Sequence, residues 1–426
     1  MPLRRRFTPR MPLTSRKPLI TLLAAIAVIV VACGGGSGVA LPSPTPEVIA
    51  PETSSAASAG ESPIQSQSGA DAPARLQLRL EITGIDNWLN GEPTTIAEET
   101  ALNNVVLIDF WTYTCINCLR TIPRLRVWQE KYGDRGLKII GIHSPEFEFE
   151  KRTENVRAEM ERLGVTWLVA QDNEMETWRA FDNHVWPAKY LFGVSGLPIY
   201  QHFGEGDYAV TETRIRQALI SAGHDISDIP FEKLPEDIRD PFAITETPEI
   251  YAGYGRSYDQ FGQFNGHPDY YTGPDQVLEY GDPGDGFRLD GRYYLQGLWE
   301  NRIESIVHAR ETEHLEDYIT LTFIARSVNV VIKPAFPEAS QNPLSDVLPE
   351  TFEVVIELND QPLTPEQAGT DIVFNDRGQS VILVQEPRLY ALLELPVYSR
   401  ANLKMRSNSK NFAVTAWTFG TYIEGA

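Results

Sequence analysis

The sequence has little of what defines several common classes of protein. Its 426 residues include only three cysteines, which excludes a scaffold held by many disulfides and a zinc site of four thiolates. Beyond residue 32 it has no long apolar run, which excludes a polytopic membrane protein. With 37 Lys and Arg against 58 Asp and Glu, basic side chains are too few to favour nucleic acid as a partner. Hydrophobic residues make up 42%, enough for two or three folded domains.

The first 33 residues have the pattern of an export signal. Basic residues without any acidic residue precede an apolar run from Leu19 to Ala32. Such a run fits a signal core of about 7–15 residues and is too short for a bilayer-spanning helix of roughly 17–25 residues. It ends in Val30-Val31-Ala32-Cys33, which resembles the lipobox of bacterial lipoproteins. That resemblance implies lipidation of Cys33 and anchoring at the extracytoplasmic face of the cell membrane, with an ordinary cleaved signal as the alternative.

Composition divides the rest of the chain. Residues 34–74 contain no aromatic residue, lysine or arginine, which predicts a disordered tether over 34–75. Residues 76–224 alternate between strand and helix patterns, which predicts an α/β domain with helices on both faces of a sheet. Residues 225–250 are rich in Pro, Asp and Glu and are interpreted as a connector, and residues 251–426 form a second domain.

Within the α/β domain, we expect four strands and three helices. The predicted strands cover 105–110, 137–142, 166–170 and 188–192, with a hairpin extension at 200–203. Apolar residues at helical spacing follow the first strand as far as Tyr132, with Gly133 as the expected stop. Further helices are predicted around 156–163, ending at Gly164, and around 215–220.

Two cysteines stand where the first strand should meet the first helix, in Cys115-Ile116-Asn117-Cys118. Unpaired N–H groups at a helix N-terminus favour the thiolate of the first cysteine. The second lies within reach to attack a mixed disulfide, so the spacing predicts dithiol–disulfide exchange. One alternative is half of a zinc or copper site completed by His143 and His184. Another is a peroxidatic cysteine, although Ile108 occupies the position of the proline that peroxiredoxins carry.

The segment from Asp109 to Cys118, Asp-Phe-Trp-Thr-Tyr-Thr-Cys-Ile-Asn-Cys, closely resembles the redox motif of the thioredoxin superfamily. The resemblance is nearest to the TlpA-like branch and the soluble half of DipZ-type proteins. It implies a thioredoxin-like fold and catalytic Cys115 and Cys118 without a cofactor or metal. It also implies that Asp109 is a buried acid of raised pKa that relays the proton of Cys118. Thr121 replaces a glutamate of many reductive members, which leaves the direction of electron flow open.

The same resemblance suggests where substrate binds. Trp186-Pro187 precedes the strand at 188–192, where the family has a cis-proline that faces the disulfide. Pro187 and the backbone of Trp186 would therefore hold the substrate chain, with a trans turn proline as the alternative. Trp111 and Tyr113 flank the cysteines, and we expect them to form an apolar docking surface, with packing in the core as the competing interpretation.

The second domain contains short strand-like runs separated by turn signals such as Asn359-Asp360. Together they predict an antiparallel β-sandwich. The runs cover 292–298, 318–325, 328–332, 352–358, 372–374, 380–384 and 412–419. Their order resembles the C-terminal domain of DipZ-type proteins, which is similar in fold to carbohydrate-binding modules. Similarity of fold does not by itself establish glycan binding, which stays an unproven alternative role.

Two groups of side chains in this domain admit more than one interpretation. An aromatic cluster either stacks on sugars or, as we favour, holds the two domains together; it comprises Tyr251, Tyr254, Tyr258, Phe261, Phe264, Tyr270 and Tyr271. Asp282, Asp285 and Asp290 could hold calcium, but their spacing matches no EF-hand, which favours a simple acidic loop.

Taken together, these features predict a membrane-anchored, extracytoplasmic thiol–disulfide oxidoreductase with an appended β-sandwich. The expected partners are protein disulfides or dithiols and a separate, CcdA-like membrane electron donor. Cytochrome c maturation and envelope disulfide reduction are the tasks that the resemblance implies. The competing hypothesis is a cell-envelope adaptor that binds glycan or protein and carries a non-catalytic disulfide.

Overall fold

The computed structural model describes residues 80–231, 238–239, 241, 243–257, 265–266, 272–335 and 350–423. Several sequence predictions lie outside these residues, namely the signal with Cys33, the tether at 34–75, and Tyr258, Phe261, Phe264, Tyr270 and Tyr271. In the ranges just given, no helix combines the length and apolarity needed to cross a membrane.

The first folded unit is a six-stranded sheet with helices on both faces. Its elements are β1 (Asn87–Leu89), α1 (Ile96–Ala101), β2 (Val105–Trp111), α2 (Ile116–Tyr132), β3 (Leu137–His143), α3 (Thr153–Leu163), β4 (Leu168–Gln171), α4 (Glu176–Ala180), β5 (Ala188–Phe192), β6 (Pro198–Phe203) and α5 (Tyr208–Ser221). The strand order is β1-β4-β3-β2-β5-β6. The central strands β2, β3 and β4 run parallel, and the outer strands are antiparallel to their neighbours.

Side chains of β2 alternate between the two faces of this sheet, as the pleat requires. Val105 and Leu107 join the core formed with α2, α3 and α5. Val106 and Ile108 join the opposite core, which α1 and α4 cover. Asp109 shares the face of Val105 and Leu107, so its side chain lies on the side of the helix that carries the cysteines.

The predicted strands and helices of this unit are confirmed, with differences at short elements and ends. Strand β1 and helices α1 and α4 were not predicted, because three to six residues are too few to show a period. Helix α2 ends at Tyr132, but Gly133 keeps a right-handed backbone and begins a short 3-10 turn. The left-handed residue is Gly136, with φ +93°. Gly164 ends α3 in the left-handed conformation, as the sequence predicts.

The second unit is built around one antiparallel network of eleven strands. Its elements are β7 (Ile238–Arg239), β8 (Ile250–Tyr251), β9 (Val277–Tyr280), β10 (Tyr293–Asn301), β11 (Ile306–His308), β12 (Tyr318–Ile332), β13 (Phe352–Leu358), β14 (Gln361–Pro362), β15 (Val373–Phe374), β16 (Ser380–Val384), β17 (Arg388–Arg406), β18 (Ala413–Gly420) and β19 (Tyr422–Ile423). Strands β7 and β19 form a separate two-stranded pair. The main path is β15-β16-β13-β17-β12-β10-β11-β18-β8.

The long strands β12 and β17 allow this network to fold over one core. The first part of β12 pairs with β10, and its last part pairs with β18 instead. One register shift in the β12–β17 ladder, at Ala325–Ser327, falls where the second part begins, and another, at Val328–Asn329, falls within that part. A strand that changes neighbours in this way bends and serves both layers. Apolar side chains from both parts of β12 belong to the same buried cluster.

Strand β17, Arg388–Arg406, corrects the sequence analysis, which expected no strand between 384 and 412. Its buried positions do not alternate, because the strand contributes to two layers and crosses Pro396 at an exposed position. A period-two search therefore misses it. The Asn359-Asp360 turn is confirmed: both residues have positive φ, at 53° and 61°, and they connect β13 to β14.

The two units pack against each other beside the cysteine-bearing helix. Val331, Leu389 and Ala416 of the second unit belong to the same buried core as α2 and α3. The Arg120 side chain on α2 donates to Ser327 Oγ at 3.4 Å. A Cβ at Gly420 would lie 2.7 Å from the Arg120 guanidinium, so glycine at that position permits the close approach. The second unit therefore forms part of the surroundings of the cysteine pair.

Candidate redox site

Cys115 and Cys118 lie at the start of α2, one partly exposed and one buried. Cys115 is the N-cap of the helix, with an extended backbone at φ −81° and ψ 111°. Cys118 follows in the first turn, is 1% exposed, and hydrogen-bonds the Cys115 side chain. Both are free thiols. Burial, together with the neighbouring Cys115, raises the pKa of the Cys118 thiol well above its usual value. Cys118 therefore needs a base before it can act as a nucleophile.

Asp109 is the carboxyl group placed to be that base. It is 2% exposed on β2, and within the described part of the chain its Oδ1 atom has no hydrogen-bond partner. Burial raises the pKa of Asp109 to about 7, against an opposing effect of the Lys189 charge. The charge of Asp109 in turn raises the pKa of Cys118. A carboxyl that titrates near neutrality next to a buried thiol is suited to take up and return a proton.

Lys189 completes the buried charges beneath the cysteines, and the sequence analysis did not identify it. It lies on β5 directly across from Asp109 and is 0% exposed. Its Nζ donates to Gly204 O at 3.4 Å and lies 5.8 Å from the centroid of the Tyr208 ring. Burial lowers the pKa of Lys189, and the charges of Asp109 and Cys118 act in the opposite direction. A lysine in the middle of the predicted strand at 188–192 was the available signal.

Trp186 and Pro187 border the same site. The peptide bond between them is cis, as the resemblance implied. The indole Nε1 of Trp186 donates to Ser144 O at 3.1 Å, and its ring packs on Trp178 with centroids 4.3 Å apart. Trp186 and Cys115 line a common cleft of about 480 Å³. The structure thus brings together the cysteine and the Trp186-Pro187 segment that the sequence predicted to bind substrate.

Trp111 and Tyr113 do not form the docking surface that the sequence analysis expected. Their exposed fractions are 2% and 0%. Both rings pack against His143, Tyr113 stacked at 5.6 Å between centroids and Trp111 edge-on at 5.2 Å. Trp111 ends β2 on the face of the sheet that packs against α2, α3 and α5, so the competing interpretation of core packing holds.

The two histidines considered as metal ligands are far from equivalent. His143 is fully buried, and burial lowers its pKa to about 3, so the ring is neutral. His184 is exposed and lies 3.2 Å from Asp182. Among the residues described, no group of three or more His, Cys, Asp and Glu side chains is arranged to hold a metal.

The three aspartates considered for calcium each face an arginine. Asp282 and Asp285 both bind the guanidinium of Arg288, which is itself buried. Asp290 pairs with Arg400 at 2.6 Å. The three carboxylates therefore do not converge on one point, and their basic partners supply the charge that an ion would bring.

Comparison with known proteins agrees with this architecture. Residues 247–420 match the family described as the thioredoxin-like C-terminal domain. Protein DipZ of Mycobacterium bovis is 41% identical over 184 residues, covering 41% of this chain and 25% of the DipZ chain. This chain is therefore similar to that C-terminal domain over residues 247–420 and to DipZ over 184 residues. The matched part thus spans about a quarter of the length of this relative.

Two further proteins are each similar to about a third of this chain. The thiol-disulfide oxidoreductase YkuV of Bacillus subtilis is 27% identical over 139 residues, or 33% of this chain and 92% of YkuV. A thioredoxin-like protein solved in the oxidized form is 26% identical, covering 34% of this chain and 95% of that one, with a TM-score of 0.31.

One buried acid of the thioredoxin-like unit was missed by sequence reasoning. Glu150 is fully buried and accepts hydrogen bonds from Thr114 Oγ1 at 2.5 Å and from the backbone N–H of Glu146 and Phe147 at 2.5 and 2.9 Å. Burial and the nearby Glu146 charge raise its pKa to about 7. Glu150 thus fixes the residue before Cys115 to the loop at 146–147. Nothing in its local sequence distinguishes it from the exposed glutamates around it.

Proposed function

We propose that this protein carries out thiol–disulfide exchange between its Cys115–Cys118 pair and the cysteines of protein substrates. The observation that carries the proposal is the arrangement of the two thiols. Cys115 opens to a cleft at a helix N-terminus, and Cys118 is buried behind it with the charge of Asp109 acting on it. Exchange needs one accessible nucleophile, one resolving thiol and a proton acceptor, and these three residues supply them.

In the reductive direction, the Cys115 thiolate attacks one sulfur of the substrate disulfide. That S–S bond breaks, the other substrate sulfur leaves as a thiolate and takes up a proton, and a mixed disulfide joins the substrate to Cys115. Asp109 then accepts the proton of Cys118, whose thiolate attacks the sulfur of Cys115. The substrate leaves with both thiols reduced, and two electrons have passed from the protein, which now holds a Cys115–Cys118 disulfide.

Repeated turnover requires a dithiol donor that reduces this disulfide again. We propose that the donor is a separate membrane protein of the CcdA-like kind, and that lipid on Cys33 anchors this chain at the extracytoplasmic face. Cytochrome c maturation or general reduction of envelope disulfides are the corresponding tasks. The DipZ relationship and the basic, then apolar, N-terminal sequence support these proposals.

The test compares wild type with Cys115→Ser in the reduction of a protein disulfide by dithiothreitol. Wild type should accelerate the reaction, and Cys115→Ser should return it to the uncatalysed rate because no mixed disulfide forms. Equal rates for the two proteins would contradict the proposal. As a second measurement, Cys118→Ser should accumulate a mixed disulfide with its substrate, and the double variant Cys115→Ser/Cys118→Ser, which cannot form one, is the matched control.

A further inference from the structure

The cleft at Cys115 is built by both folded units. Cys115, Arg120 and Trp186 line it from the first unit, and Glu249, Tyr251 and Phe419 line it from the second. We propose that the second unit selects the substrate of the redox site, and that the preferred substrate is a protein segment with a lysine or arginine beside its reactive cysteine. This inference rests on the proposed function and names its substrate class.

The charges that line the cleft are predominantly negative. They comprise four glutamates, Glu146, Glu205, Glu246 and Glu249, and two arginines, Arg120 and Arg256. Arg120 lies 3.7 Å from Glu205, and Arg256 lies 2.9 Å from Glu146, so each arginine is already close to one carboxylate. The lining therefore has a formal excess of two negative charges when all four carboxyls are ionised. A cationic side chain in the cleft would reduce this excess.

Two of these carboxylates share a single hydroxyl. Tyr251 Oη lies 2.7 Å from Glu146 Oε1 and 2.7 Å from Glu249 Oε2. A phenol has one proton to donate, so it satisfies only one of the two at a time. Glu249 is exposed to solvent, and its carboxylate and that of Glu146 repel each other across this hydroxyl. A substrate ammonium or guanidinium near Glu249 would relieve this repulsion.

The geometry also explains why the cation should lie close to the reactive cysteine. Arg256 is held over the Tyr251 ring at 3.9 Å from its centroid, and Tyr251 packs beside Phe147 at 6.3 Å between centroids. These contacts fix Tyr251 and the neighbouring Glu249 against the loop at 146–147, which Glu150 ties to Thr114. Glu249 and Cys115 therefore line one cleft at fixed positions.

The experiment measures kcat/KM for two peptide disulfides that differ only beside the cysteine, one carrying lysine and one carrying glutamate. Wild type should prefer the lysine peptide by about three- to tenfold at low salt, as expected for one or two charges screened by water. The preference should shrink in 0.5 M salt. Glu249→Gln should lower the ratio and Glu249→Lys should invert it. Glu366→Gln, which removes one exposed charge elsewhere in the second unit, should leave the ratio unchanged.

Three outcomes separate this inference from the proposed function. If wild type reduces both peptides equally, or if Glu366→Gln lowers the ratio as much as Glu249→Gln, the inference is wrong while the redox function stands. If wild type reduces neither peptide nor the small neutral hydroxyethyl disulfide, the proposed function itself fails. Inversion of the ratio by Glu249→Lys supports the inference, because general loss of activity would not reverse a preference.

Discussion

Asp109 in the first unit and Asp282 in the second both have buried side chains, and their pKa values are shifted in opposite directions. In the second unit Asp282 accepts hydrogen bonds from Arg288, the Gly284 N–H and Tyr318 Oη. Burial alone would raise the pKa of Asp282, but these donors outweigh it and hold the pKa below its usual value. In the first unit Asp109 Oδ1 has no partner among the described residues, and burial raises its pKa to about 7.

The contrast shows how one residue type serves stability in one unit and proton transfer in the other. A buried carboxylate surrounded by donors stays ionised, and removing it leaves a buried arginine without its partner. A buried carboxylate with few donors destabilises the folded state when it ionises, yet it can exchange a proton near neutral pH. Substitution at the two aspartates should therefore change different measurements.

The largest effect is expected from Asp282→Asn. The side chains of Asp282 and Arg288 are 4% and 3% exposed, so the change leaves a buried guanidinium poorly compensated. We expect the free energy of unfolding to fall by about 3–5 kcal/mol in urea denaturation. Asp285→Asn is the matched control, because Asp285 binds the same arginine from a 76% exposed position and should cost less than ~1 kcal/mol. Equal losses for the two variants would contradict this account.

The second largest effect is expected on the rate of disulfide reduction. Asp109→Asn keeps the shape of the side chain but cannot accept the proton of Cys118. We expect the rate of disulfide reduction at pH 7 to fall by about 100-fold, within the range that general bases contribute. Wild type should lose activity as pH falls through about 7, where Asp109 becomes protonated, and the variant should lack this inflection. An unchanged pH–rate profile in the variant would exclude Asp109 as the base.

The same substitution should increase stability. The pKa of Asp109 is raised from an ordinary 3.8 to about 7, so the folded state binds more protons than the unfolded state between these values. Wild-type stability must then fall as pH rises through that window. We expect Asp109→Asn to unfold with a free energy about 1–3 kcal/mol higher than wild type at pH 8, a difference that shrinks towards pH 4. Urea denaturation at several pH values measures it, and a variant less stable at pH 8 would contradict it.

The parts of the fold and of the site that depend on contiguous sequence motifs could be predicted from the sequence. The cysteine pair at a strand–helix junction follows from a contiguous motif, and the acid six residues earlier and the cis Trp186–Pro187 bond follow from the family resemblance that this motif carries. Strand β17 was missed because its side chains serve two layers, so no single period describes it. Trp111 was misplaced because the sequence shows that it is near the cysteines but not that its ring packs against His143 in the core.

The remaining site residues depend on contacts between distant parts of the chain. Lys189 meets Asp109 only through the pairing of β5 with β2. Tyr251 and Glu146 are 105 positions apart, and their hydrogen bond exists because the two units pack together. Neither contact leaves a pattern in the local sequence. The sequence therefore indicates the reacting groups but not the distant groups that change their pKa values or line the cleft beside them.

The smallest expected effect tests one such contact. The Lys189 charge lowers the pKa of Asp109, so Lys189→Met, which keeps a long apolar side chain in the buried site, should raise it. We expect the inflection in the pH–rate profile to move upward by up to ~1 pH unit, with little change in the maximal rate at high pH. Lys138→Met on β3 is the matched control, since Lys138 pairs with Glu99 near the protein surface and should leave the inflection in place. An inflection that stays at about 7 in Lys189→Met would mean that Lys189 is neutral when Asp109 titrates, and the buried lysine would then act on the site through packing alone.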